Sequence, residues 1–134
     1  MSTELLEGDA GVEQTIDVIR GLVDDSLKNP AINRLATEIV ARVPAYDEVG
    51  EINAVFNWVL RNIRFQKDPV QKELLRPADA IIELGAGDCD DINGVLIPSL
   101  LGTIGITTRG VTIAATPGSD DFTHIYAEAM LNGQ

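Results

Sequence analysis

Cysteine and histidine each occur only once in these 134 residues, as Cys89 and His124. A single thiol excludes an internal disulfide and fits a reducing compartment. Neither residue has a second copy that could take over its role. No apolar run approaches the length needed to span a bilayer, so no membrane role is expected. The N-terminus, Met1 to Glu7, lacks the basic start and apolar stretch of a secretory signal. Basic residues are also scarce: 10 Lys and Arg face 21 Asp and Glu, for a net charge of −11. Such a surface repels phosphate backbones and argues against a nucleic-acid partner. Internal repeats and low-complexity stretches are absent.

What remains is an ordinary globular composition, 45% hydrophobic and 23% charged. The length suits one domain with a continuous core. Residues 1–11 are polar and read as a flexible N-terminus, and 12–134 as a single domain. From Val12 to Leu27 apolar residues recur at helical spacing, ending at Asn29-Pro30. A second helix runs from Pro30 through Val40 and stops near Pro44. A third carries Val49, Ile52, Val55, Phe56, Val59, Leu60 and Ile63, with Trp58 inside it as a packing residue or a cleft wall. Phe65 to Arg76 reads as an irregular connection. A short helix covers Ala78 to Leu84 after Pro77, with Gly85 as its stop.

Asp88 then stands as an N-cap before a helix carrying Ile92, Val95, Leu96, Leu100 and Leu101, in which Pro98 predicts a kink. Ile106 to Ala115 and Phe122 to Leu131 read as strands around the turn cluster Thr116–Asp121. Asn132-Gly133 signals a hairpin turn with no returning strand before Gln134. The domain therefore reads as C-terminally incomplete, its last strand or strands missing.

The chemistry gathers at Gly87-Asp-Cys-Asp-Asp91. A thiol in the first helical turn meets unpaired amides and the positive end of the helix dipole, which favour thiolate. An imidazolium beside it would act in the same sense. Asp88, Asp90 and Asp91 oppose that shift by like-charge repulsion. Asp88 is better explained as a cap, and Asp90 and Asp91 as anions suited to a first turn, one of which could meet a substrate amine. Alternation along the last strand puts His124, Tyr126, Glu128 and Met130 on one, polar face and Thr123, Ile125, Ala127 and Ala129 on the core face. A mixed metal site from Asp88, Cys89, Asp90, Asp91 and His124 fits neither zinc nor calcium spacing, so no metal is expected. An inert buried thiol is the plain alternative.

In combination these features resemble the transglutaminase-like superfamily of papain-type thiol enzymes, its small bacterial and phage-encoded members in particular. The resemblance begins near Val49. It rests on Phe56-Asn-Trp-Val-Leu-Arg-Asn-Ile-Arg-Phe65, Asp68-Pro69, Pro77 with Leu84, the Gly87–Asp91 block, Gly105-Ile106 with Arg109, and His124-Ile-Tyr-Ala-Glu128. It implies Cys89 as nucleophile, His124 as general base and later acid, and a thioester acyl-enzyme released by water or an amine. The Cys89 amide is the natural oxyanion donor, with Gln66 and Gln71 as candidates for a second. No cofactor is implied.

The family's third member, an aspartate that orients the imidazole, belongs on a strand after the histidine strand, and no such strand follows here. Asp120 and Asp121 precede His124 in a turn, and Glu128 lies far along its own strand. Arg109 could line a cleft or join a surface ion pair.

The expected fold is α+β: N-terminal helices and a nucleophile-bearing helix packed on an antiparallel sheet. The expected function is thiol-dependent hydrolysis or acyl transfer on peptide or isopeptide bonds. A non-catalytic structural or peptide-binding domain of the same fold, such as a phage virion component, is the alternative. Expected partners are a protein or peptide substrate and, through an unpaired edge strand, a second copy. The expected location is cytoplasmic or virion-associated.

Overall fold

The computed structural model describes residues 3–4, 8–66, 74–113 and 124–131, with side chains at 16–66, 75–109 and 128–131. A two-residue strand β1 (Thr3–Glu4) precedes three helices: α1 (Gly8–Leu27), α2 (Pro30–Ile39) and α3 (Glu48–Asn62). α1 starts four residues before the apolar periodicity does. Local chemistry sets the later helix starts. Asn29 Oδ1 accepts from the Ala31 amide at 2.9 Å, with Pro30 in the first turn where its missing N–H costs nothing. Asp47 Oδ1 accepts from the Gly50 amide at 3.0 Å, and Glu48 and Glu51 follow in a first turn that favours anions.

The stretch from Phe65 to Arg76 is not wholly irregular. It holds one residue of β2 (Arg64–Phe65) and all of β3 (Leu74–Leu75), and residues 67–73 lie outside the described part. β3 pairs antiparallel with β1. β2 pairs parallel with β4 (Ala86–Gly87), just upstream of the cysteine. Strands of two residues carry no periodic signal, which is why the sequence pattern does not show them. Between β3 and β4 runs α4 (Ala78–Leu84), capped by Pro77 and closed by Gly85 at φ +72°, a left-handed position that glycine adopts without steric cost.

The helix after Cys89 is wound in two ways. Asp90–Leu96 is a π-helix, here π1, and Ile97–Thr103 is α-helix α5. The Ile97 amide bonds to the Ile92 carbonyl, five residues back. Pro98 falls in the first turn of α5, where no amide is required. In a continuous α-helix its ring would strike the Gly94 carbonyl, and the wider π winding before it relieves that clash. The kink expected at Pro98 is thus a change of winding at Leu96–Ile97.

α5 is the centre of the domain, with α1, α2, α3 and π1 packed around it and β5 (Thr108–Ile113) beside it. Every residue from Gly94 to Leu101 is buried. Ile32, Val55, Leu75, Ile81, Val95, Leu96, Ile97, Leu100 and Leu101 form the core, each with 2% exposure or less. Each such aliphatic side chain contributes roughly 1.5–3 kcal/mol of transfer free energy.

β5 pairs antiparallel with β6 (His124–Ala129), in register from Thr108 opposite Ala129 to Ile113 opposite His124. β6 packs on π1, and Ala129 joins the edge of the core. Among the described residues no other strand pairs with this hairpin. The architecture is α+β, with the helix that follows Cys89 packed on an antiparallel strand pair. Among the described residues no helix is long and apolar enough to cross a membrane.

Candidate active site

The local sequence Gly87-Asp-Cys-Asp-Asp91 folds as the end of a strand followed at once by a helix start. Gly87 is held in β4 by the Gln66 amide, which donates to its carbonyl at 2.8 Å. The backbone of Cys89 is already helical, at φ −64° and ψ −36°, and its side chain makes no cap hydrogen bond. The flanking aspartates make those bonds instead. Asp88 Oδ1 accepts from the Asp91 amide at 3.0 Å, and Asp91 Oδ2 accepts from the Asp88 amide at 3.3 Å. This is the reciprocal pattern of a capping box, with Asp in place of the usual pair.

Asp91 is 0% exposed. Besides the Asp88 amide, its Oδ2 accepts from Arg76 Nη1 at 2.9 Å and its Oδ1 from the Arg76 amide at 3.3 Å. A carboxylate so buried needs both a cation and several donors, and Arg76 supplies one of each. Gly87 makes room for it: a Cβ there would lie 2.8 Å from the Asp91 Cβ. Of the three aspartates, then, Asp91 is enclosed in the fold and does not face a substrate amine.

Asp90 is 4% exposed, and Cys89 Sγ donates to its Oδ1 at 3.8 Å. The thiol itself is half-buried at the edge of the core. It thus touches both the apolar core and the Asp90 carboxylate. In this contact a protonated thiol is favoured, since a thiolate would meet a like charge.

His124 is the first residue of β6, the strand that packs on π1. Its side chain lies outside the described side chains, as do Gln71, Asp120 and Asp121 altogether. Gln66 is exposed beside the cysteine turn, and its Oε1 accepts from Arg64 Nη2 at 3.2 Å. Glu128 is paired with Arg109, its cross-strand neighbour, in an exposed ion pair. Trp58 packs against the core. Among the described residues no three thiol, imidazole or carboxylate groups are gathered as a metal ion would need.

Arg76 is the residue that sequence reasoning misses. It precedes Pro77 in a stretch with no periodicity, and nothing near it marks it as a partner of the cysteine turn. The Asp-x-x-Asp spacing was a usable signal for the other half of the network.

The family model described as "Transglutaminase-like superfamily" matches residues 33–134. No curated protein matches the chain. Among solved structures, the crystal structure of a "putative protease" from Parabacteroides distasonis is similar at a TM-score of 0.62 and 16% identity. The match covers 89% of this chain and 25% of that one, so the chain spans about a quarter of that protein's length. At this identity the likeness is one of fold. The family match takes in the cysteine turn, the π-helix and the β5–β6 pair together, and the chain belongs to the transglutaminase-like superfamily.

Proposed function

We propose that this domain performs cysteine-dependent acyl transfer or hydrolysis on peptide or isopeptide bonds, with Cys89 as nucleophile and His124 as general base. The observation that carries the reading is the placement of Cys89. It opens a helix, is flanked by a pinned turn, and directly precedes π1, against which the His124 strand packs. His124 takes the Cys89 proton, and the sulfur attacks the carbonyl carbon. The Cys89 amide at the helix start donates to the resulting oxyanion. As the tetrahedral intermediate collapses, the imidazolium protonates the leaving amine, and a thioester remains. Water, or a second amine, then attacks the thioester and returns the thiol.

The partner is a protein or peptide substrate. Self-association through the outer edge of the β5–β6 pair is a second mode of interaction.

One observation favours a non-catalytic reading, a structural or peptide-binding domain: the Asp90 carboxylate lies against the thiol and disfavours its ionised form. Thiol reactivity separates the two. For an enzyme, iodoacetamide alkylates Cys89 near pH 6, well below the range of an ordinary thiol, and His124→Ala abolishes that reaction. A folded protein whose thiol is inert at neutral pH would sink the catalytic reading.

A further inference from the structure

The Arg76–Asp91 pair is a costly feature for so small a domain, and its location gives it a purpose. Asp91 is fully buried while the Arg76 side chain keeps 24% exposure, and an ion pair with one partner so desolvated offers little net stability over apolar side chains of the same volume. Its place beside the cysteine turn points to a role other than filling the core. The pair joins three pieces of chain. Arg76 stands between β3 and α4, Gly87 ends the β2–β4 pair with Asp88 just after it, and Asp91 lies in the first turn of π1. Cys89 sits between the two aspartates whose side chains and amides are cross-bonded. The Asp88–Asp91 bonds stiffen the turn from within, and any rotation of the turn as a body would pull Asp91 from Arg76.

We propose that Arg76 and Asp91 form a positioning latch that fixes the backbone of the Cys89 turn. Neither residue touches a substrate; both act through the cysteine turn. The catalytic consequence rests on the reading of Cys89 as nucleophile, but the latch itself does not. Rigid placement matters because an oxyanion donor and a nucleophile on the same residue must both face one carbonyl.

Amide hydrogen exchange of the whole chain, followed by NMR, tests it in wild type, Arg76→Gln and Arg76→Lys. In Arg76→Gln the Asp88 and Asp91 amides lose protection by about tenfold or more, while the core amides of Val55 and Leu100 keep theirs. Arg76→Lys keeps the cation and restores most of the protection, a rescue that mere space-filling would not give. Should Arg76→Gln fail to fold, Asp91→Asn carries the same test, with loss confined to the cysteine turn as the supporting result. Protection at Asp88 and Asp91 equal to wild type in a folded variant overturns the latch and leaves the nucleophile standing. Alkylation of Cys89, measured on the same samples, reports separately on the nucleophile: an inert wild-type thiol would end that reading and leave the latch to the exchange data.

Discussion

At the scale of single residues, Asp90 most directly opposes the chemistry assigned to Cys89, because its carboxylate accepts from the thiol at 3.8 Å. Removing that charge stabilises thiolate relative to thiol, so Asp90→Asn lowers the pH at which Cys89 becomes reactive. Alkylation near pH 6 is expected to rise about tenfold, as a stabilisation of roughly 1.4 kcal/mol gives. An unchanged pH–rate curve would show that the contact does not govern ionisation. Gly87 answers a steric question instead. A methyl group there meets the Asp91 Cβ at 2.8 Å, and Asp91 is too firmly bonded to move aside. Gly87→Ala should cost about 1–3 kcal/mol in urea denaturation, the usual penalty of overpacking. The Asp-x-x-Asp spacing around Cys89 could be read along the chain, because capping is a short-range interaction. Arg76 could not: its partner lies fifteen residues away, and only the tertiary fold brings them together.

At the scale of elements, helices were legible and their winding was not. The ends of α1 and α4 and the start of α2 fall where apolar periodicity, proline and glycine place them. The β2 and β4 strands were invisible, since two residues cannot show alternation. The π winding of Asp90–Leu96 has no signature in composition, although Pro98 just beyond it marks a place where regular winding is obstructed. A π segment amounts to an extra residue in an α-helix. Deleting Asn93 should let the segment rewind as α-helix, and the buried α5 will hold its place. The cysteine end then keeps its direction, because the deletion removes the one residue that the wider winding accommodates. Such a variant is expected to keep its helical circular dichroism and the wild-type alkylation rate of Cys89. A changed rate in the folded variant would mean that the π winding itself sets the thiol's surroundings.

At the scale of the whole molecule, a net charge of −11 acts against the self-association proposed for the β5–β6 edge. Salt screens that repulsion, so the weight-average mass in sedimentation equilibrium should rise between low salt and about 0.3 M. A monomer at every salt concentration would count against pairing through the edge. The domain's core is helical but not local in sequence, since α5 packs on α1, α2 and α3 from the first half of the chain. The cysteine turn adds contacts of its own. It depends on β2 meeting β4 and on Arg76 meeting Asp91, contacts that form only after the intervening chain has been placed. A chain in which those contacts have opened would leave Cys89 on a loose loop, an ordinary cysteine with no oriented amide beside it. On the proposed reading, the thiol would be armed only by completion of the fold, and opening of the cysteine turn alone would disarm it.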